Sequence, residues 1–302
     1  TAHGGDKNVL LLSAAFSSNE LHKKREESYG ALPEWFSGWE EERKALGDMR
    51  TLVFLWNKFN SAASVQVVRK KFRFLTQAVS KIIPDRSLEE VQEIWDGLAR
   101  KNARYYVNTK TPSGRDVNEF EFKETGFADY QKYVVDDKAL QPILANGATA
   151  SVLEIGCGLG RITEFFPKHF GVVVATDISP IMIANAKKRL ANADKIEFLV
   201  SDGKTISFPE NQFDLIFSYQ TLRHIPTREF LAVKFKEIHR TLKLGGIAKL
   251  HIRTGKGLYK WHWAYGAPLT TMEAKQLAEN AGFKFIKHEI EDPKSLWVWL
   301  GK

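Results

Sequence analysis

The 302-residue sequence contains a single cysteine, Cys157, which excludes an internal disulfide framework and any zinc or iron–sulfur site built on clustered cysteines. It also lacks a long apolar run. The longest candidate, Val9 to Phe16, has eight residues, against roughly 18 for a membrane-spanning helix. That segment has the length of a signal-peptide core, but no basic stretch precedes it. A buried strand is therefore the expectation, in a reduced, cytoplasmic compartment. Internal repeats and low-complexity tracts are missing as well. So is a charge excess confined to one region. The 44 basic and 36 acidic residues give +8, and the excess is +4 on either side of residue 110. A nucleic-acid arm would concentrate that charge, so nucleic acid is not the expected partner. The one dense basic run, Arg69, Lys70, Lys71 and Arg73, falls inside a helical pattern and reads as a solvated face.

What is present suits a globular protein: 43% hydrophobic and 26% charged residues. Val65, Val68, Phe72, Leu75, Val79 and Ile82 form one apolar stripe at helical spacing, and Pro84 ends it. Ser87 followed by Glu90 is a capping box, opening a second stripe through Leu88, Val91, Trp95 and Leu98 toward Tyr105. Residues 1–110 are thus expected to be a mainly helical region serving as lid, substrate platform or oligomerisation arm. The turn Thr111-Pro112-Ser113-Gly114 leads into a second domain, 111–302. Ala128 to Leu144 reads as a helix. Beyond residue 150, strand candidates (Ser151–Ile155, Gly171–Thr176, Lys195–Val200, Phe213–Phe217, Ile247–Ile252) alternate with helical patterns (Arg161–His169, Ile181–Ala191, Phe230–Leu242). A further helix, Thr271–Ala281, and two strands, Phe283–Glu289 and Ser295–Leu300, close the chain. That alternation implies right-handed βαβ units and a parallel sheet with helices on both faces.

The most informative stretch is Val152-Leu153-Glu154-Ile155-Gly156-Cys157-Gly158-Leu159-Gly160-Arg161. It reads as a strand, a glycine-rich turn and a helix, and it suits an anionic group or a nucleoside. A dinucleotide fingerprint would be Gly-x-Gly-x-x-Gly, whereas the glycines here fall as Gly156-x-Gly158-x-Gly160 behind an acidic Glu154. A second strand ends in Asp177, placed to accept both hydroxyls of a ribose or to cap the helix near Pro180. A third ends in Asp202-Gly203 and a fourth in Ser218-Tyr219. Polar residues thus recur at the carboxyl ends of successive strands, where open α/β sheets bind ligands.

In these stretches (VLEIGCGLGR, VVVATDISPIMIANAKKRL, FLVSDG, FDLIFSYQTLRHIP and LKLGGIAKLHI) the sequence resembles the class I S-adenosylmethionine-dependent methyltransferases, from about residue 130 to 302. One departure is Leu244, where that family usually has proline. The resemblance implies a Rossmann-like, seven-stranded, mostly parallel sheet. It implies S-adenosylmethionine as cofactor, S-adenosylhomocysteine as product and no metal. By resemblance, Glu154, Gly156, Cys157, Gly158 and Gly160 would form the methionine-side turn, with Cys157 as a small turn residue and not a nucleophile. Asp177 would take the ribose, Ile178 and Met182 would flank the adenine, Asp202 and Gly203 would meet its edge, and Ser218 and Tyr219 would stand near the sulfonium.

The reaction implied is in-line displacement of the methyl group onto an oxygen or nitrogen of a small molecule or glycan. Positioning would carry most of the catalysis, with a general base helping where the nucleophile must lose a proton. His224, in Leu222-Arg223-His224-Ile225-Pro226, and Tyr219 are the candidate catalytic residues; the alternative for His224, and the favoured one, is a structural histidine holding its loop. His251 sits in a predicted strand as a core residue, and His262 in an aromatic loop, Leu258–Tyr265, that would wall a substrate pocket or pack on the helices. The glycan option draws on Asn8–Ser13 with Lys24, Arg25 and Tyr29, a stretch similar to the opening of proteins that handle nucleotide sugars. Two alternatives stay open: an RNA or protein methyltransferase, and a non-catalytic binding protein on the same fold. A homo-oligomer is compatible with either.

Overall fold

The computed structural model describes residues 85–108, 117–255 and 266–302, all within one compact unit, Leu75–Lys302. The Val9–Phe16 strand, the Asn8–Tyr29 similarity, the Val65–Ile82 stripe, the Arg69–Arg73 run, the Thr111–Gly114 turn and the Leu258–Tyr265 loop lie outside the described residues.

Helix α1, Leu88–Val107, starts at the expected capping box: Glu90 N donates to Ser87 Oγ at 3.1 Å and Ser87 N donates to Glu90 Oε2 at 2.6 Å. Leu88, Val91, Leu98 and Ala99 are buried. The helix is interrupted at Asn102 (φ −166°, ψ 85°), whose Oδ1 accepts from Tyr105 N at 3.1 Å. The asparagine thereby caps a last turn carrying Tyr106 and Val107. Helix α2 is Glu119–Tyr130, capped by Asn118.

The single helix expected over Ala128–Leu144 is not formed. A π turn, Gln131–Val135, follows α2, and one turn of helix returns at Gln141–Leu144. The cause is Asp137, buried with Lys249. Lys249 Nζ lies 2.7 Å from Asp137 Oδ2 and also donates to the Tyr133 carbonyl at 2.6 Å. In a continuous helix that carbonyl would accept the amide of residue 137. Trp299 Nε1 donates to the same carboxylate oxygen at 2.6 Å.

Seven strands follow: β1 (Ser151–Ile155), β2 (Val172–Asp177), β3 (Ile196–Val200), β4 (Phe213–Ser218), β5 (Leu242–Arg253), β6 (Lys284–Asp292) and β7 (Ser295–Gly301). Their order is β3-β2-β1-β4-β5-β7-β6. The pairs among β1–β5 are parallel, and β7 is antiparallel to both neighbours. Leu153 pairs with Val174 on one side and Ile216 on the other. Strand alternation sends these three and Leu250 into one core with Leu231, Phe235 and Ile238 of α4 (Arg228–Thr241) and Ala274 and Ala278 of α5 (Thr271–Asn280). Val152, Val173, Leu215, Phe217, Trp297 and Trp299 face the opposite core, against Tyr130, Phe165, Phe166 and Phe170. Helix α3, Pro180–Arg189, joins β2 to β3.

The helix expected over Arg161–His169 is replaced by turns and a 3₁₀ segment, Thr163–Lys168, that contains Pro167. Proline has no amide to donate and its ring crowds the carbonyl four residues back, so a six-residue segment around it does not settle into an α-helix. Strand order reverses at β1, with β2 and β3 on one side and β4 and β5 on the other. This topology opens a crevice at the carboxyl ends of β1 and β4.

Candidate active site

The turn after β1 fills that crevice with backbone. Gly156 has φ 79°, and a Cβ there would lie 2.0 Å from Thr221 Oγ1, so no side chain fits. Thr221 Oγ1 donates instead to the Gly156 carbonyl at 3.1 Å. The turn's amides are spent inside the protein. Gly156 N and Cys157 N donate to the Thr176 carbonyl at 2.7 and 2.9 Å, and Gly160 N to the Cys157 carbonyl at 2.9 Å. Gly158 N donates to Asp177 Oδ2 at 2.9 Å. With no α-helix behind it and four amides engaged, this turn offers no phosphate cradle, and of the two ligand types expected at it, an anionic group or a nucleoside, its geometry favours the nucleoside.

The charges around it are acidic. Glu154 and Asp177 both line the cleft. Glu154 is 4% exposed, and Thr163 donates a short hydrogen bond to its Oε2. Burial lifts the Glu154 carboxyl to about 7, with the Asp177 charge adding to the rise and Thr163 and Arg161 opposing it. Arg161 is itself paired with buried Asp129 at 2.8 Å. Burial also raises Asp177, against hydrogen bonds from Ser179 and Gly158. Each Asp177 oxygen accepts one amide, Oδ1 from Ser179 N at 2.9 Å and Oδ2 from Gly158 N at 2.9 Å, and keeps a lone pair for a further donor. Ser179, not Asp177, supplies the side-chain cap of α3. Two neighbouring carboxylates held above their ordinary range, Glu154 buried and Asp177 half-buried, leave an electrostatic deficit that a bound cation would fill.

Of the residues expected at the site, Glu154, Gly156, Cys157, Gly158, Asp177, Ile178, Met182, Gly203, Tyr219 and His224 line this cleft together. Three do not. Gly160 points toward Leu190 and Phe198, with its carbonyl accepting from Arg189 NH1 at 3.2 Å. Ser218 is fully buried and donates to the Ile155 carbonyl at 3.0 Å, tying β4 to β1. Asp202 closes its own exposed turn, accepting from Lys204 N (2.7 Å), Thr205 N (2.8 Å) and Thr205 Oγ1 (2.8 Å). The Tyr219 ring stacks on Trp297 (5.4 Å, 4°) and meets Tyr133 at 4.9 Å, inside the aromatic core. His224 faces Trp95 edge-on at 5.2 Å. His251 is fully buried in β5 and its Nδ1 accepts from Gln220 N at 3.3 Å. Gln220, a cleft residue, has φ 58°, a strained conformation held by tertiary contacts. Cys157 is buried, and burial together with the Asp177 and Glu154 charges pushes its thiol well above the usual range.

Other lining residues were not among those expected at the site. Leu88, Val91, Trp95, Tyr106 and Val107 come from α1, Arg161 and Thr221 from the turns, and Lys234 from α4. The capping box announced α1, but no local signal announced that its apolar face would cover a cleft. Among the described residues, no helix is long and apolar enough to cross a membrane, and no group of three or more His, Cys, Asp or Glu could hold a metal ion.

The cofactor implied by the sequence, S-adenosylmethionine, fits this donor set. Its sulfonium and ammonium suit the two raised carboxylates, its ribose hydroxyls suit Asp177, and it needs no phosphate cradle. Sequence comparison with known proteins agrees. Residues 153–250 match a family model described as a methyltransferase domain. Phosphoethanolamine N-methyltransferase 1 of Arabidopsis thaliana is 34% identical over 127 residues, 41% of this chain and 24% of that protein. Phosphoethanolamine N-methyltransferase 2 of Caenorhabditis elegans is 34% identical over 218 residues, 68% of this chain and 45% of that protein. The chain thus spans less than half the length of both curated relatives. The solved structure of the PH0226 protein of Pyrococcus horikoshii superposes with a TM-score of 0.47 at 20% identity, covering 65% of this chain and 97% of that one. Residues 153–250 thus carry a methyltransferase domain, and in its strand order and glycine turn the chain is similar to the class I S-adenosylmethionine-dependent methyltransferases.

Proposed function

We propose that the chain binds S-adenosylmethionine in this cleft and transfers its methyl group by in-line displacement to an oxygen or nitrogen of a small molecule or glycan. One observation carries the reading: two carboxylates held above their ordinary range, buried Glu154 and half-buried Asp177, share a glycine-lined cleft with four of its turn's amides already engaged. That arrangement favours a cationic nucleoside over a dinucleotide, whose pyrophosphate would need those amides. When bound, the cofactor supplies an activated methyl on a positively charged sulfur. The chain then has three tasks: to hold the adenosyl group, to exclude water and to align the acceptor.

Asp177 would hold the ribose, and Ile178, Met182 and Leu88 would enclose the base. Helix α1 would act as the lid, since Trp95, Tyr106 and Val107 lie on the cleft. This gives α1 the role of cover and acceptor filter. His224, beside Trp95, would take the acceptor's proton through a ring nitrogen where the nucleophile must lose one. The phosphoethanolamine N-methyltransferase relatives favour a small amine as the first acceptor to test.

Isothermal titration tests the binding step. S-adenosylmethionine and S-adenosylhomocysteine should bind and NAD should not; the reverse would end the reading. Transfer of labelled methyl is then measured with small amines, hydroxyl acceptors, free glycans and bulk RNA. Labelling of RNA, with binding that weakens steeply in salt, would move the acceptor to the alternative class.

A further inference from the structure

Lys234 stands out among the groups that the proposed mechanism leaves unused. It lies on α4 with only 3% exposure, yet it lines the cleft near Ser201 and Gly203, at the carboxyl end of β3. Its Nζ makes no hydrogen bond and no ion pair among the described residues. The two nearest acids are committed elsewhere. Asp202 closes its own turn through both oxygens. Glu237 accepts from Arg240 Nε (2.8 Å) and NH2 (2.9 Å) and from Ile206 N (2.9 Å). Their charges favour the ammonium without contacting it, whereas burial disfavours it and brings the group down to about 8. A desolvated ammonium with unused donors, open to a ligand cavity, is costly unless a ligand satisfies it.

The position narrows the ligand. Gly203 and Ile178 adjoin each other here: a Cβ on Gly203 would lie 3.0 Å from Ile178 Cδ1 and 3.2 Å from Leu88 Cδ1. These three form an apolar wall of the cleft at the carboxyl end of β3, two strands from Glu154 on β1, and such a wall suits a flat heteroaromatic ring. Asp202, expected to meet the ring's edge, is turned to its own loop. Among the described lining residues at this end, Lys234 is the cationic side chain that remains. An ammonium can only donate, so it selects a ring nitrogen with a lone pair and not an exocyclic amine.

We propose that Lys234 is a specificity-determining residue of the cofactor site, its ammonium donating a hydrogen bond to an acceptor ring nitrogen of the bound adenine. The proposal rests on the cofactor reading above and deepens it.

The test is calorimetric and needs no turnover. S-adenosylhomocysteine and its 1-deaza, 3-deaza and 7-deaza analogues are titrated into the native protein and into Lys234→Met, and the melting temperature of each ligand-free protein is recorded. The expected result is a Kd for S-adenosylhomocysteine raised about tenfold or more in the variant, the scale of a lost charged hydrogen bond. The ligand-free variant should melt at the same temperature or higher, because a buried ammonium has been removed. One deaza analogue should bind the native protein more weakly, and that penalty should vanish in Lys234→Met. Affinity of the variant within twofold of native would overturn the role given to Lys234. Should the variant fold poorly, the native protein alone decides: equal affinity for all three analogues and the parent compound would overturn it too. No binding of S-adenosylhomocysteine by the native protein would instead overturn the cofactor reading beneath it.

Discussion

Glu154 is the residue whose titration should be most visible. Its carboxyl sits at about 7, above the ordinary carboxylate range, because burial penalises the charge. The folded protein therefore keeps a proton that the unfolded chain has already released between about pH 4.5 and 7. Stability contributed at this site falls as pH rises through that window, by about 1.4 kcal/mol per unit. Urea denaturation from pH 5 to 7.5 should show the fall, and Glu154→Gln should reduce it. Cofactor binding has the opposite dependence, because a cation prefers the ionised carboxylate. Affinity for S-adenosylmethionine should rise roughly eightfold between pH 6 and 7.5, the change in the ionised fraction, and should lose that dependence in Glu154→Gln.

His224 allows a sharper test of chemistry against binding. His224→Gln should lower kcat by about 10²–10⁴-fold and leave the Kd for S-adenosylhomocysteine unchanged. An unchanged kcat would return His224 to a structural role beside Trp95. Cys157 should resist thiol reagents in the native protein at pH 8, its burial and acidic neighbours holding it as a thiol. Rapid labelling would show that the cleft opens.

Among the elements, α1 couples local sequence to the site most directly. Its capping box fixes where the helix begins, and that start sets which residues, Leu88, Val91 and Trp95, face the cleft. Ser87→Ala should cost about 1 kcal/mol in thermal or urea denaturation. Because the same turn carries Leu88, cofactor affinity should weaken as well; loss of stability with unchanged affinity would detach α1 from the lid role. The glycine turn shows the opposite relation. Its three glycines were legible as a ligand turn, but its hydrogen bonding was not. The amides find their acceptors in Thr176 and Asp177, on a strand 20 residues away. The segment after it looked helical by composition, and Pro167 prevented that.

At the scale of the whole molecule, one buried ion pair lies away from the cleft. Asp137 and Lys249 are buried together, joining the segment before β1 to β5 and, through Trp299, to β7. Removing one partner of such a pair strands the other in a low-dielectric core. Asp137→Ala should therefore cost about 3–5 kcal/mol in urea denaturation, and Asp137→Leu with Lys249→Met should recover much of it. Additive losses in the double variant would show that the two residues do not act as a pair.

The sequence by itself determined the strand set, the glycine turn and the acids at strand ends, because side-chain alternation, glycine's access to positive φ and strand-end position are local properties of the chain. It also led to the family resemblance, since those local features recur in a fixed order. Tertiary structure decided what each polar group is spent on. Asp202 and Ser218 look like Asp177 when read along the chain, yet Asp202 closes its own loop, Ser218 ties two strands, and Asp177 remains in the cleft. Lys234 and Trp95 enter the site from helices whose distance in sequence from the glycine turn gives no hint of contact. A hydrogen bond or a buried charge depends on which atoms meet across the folded core, and only the packing of helices on the sheet sets that.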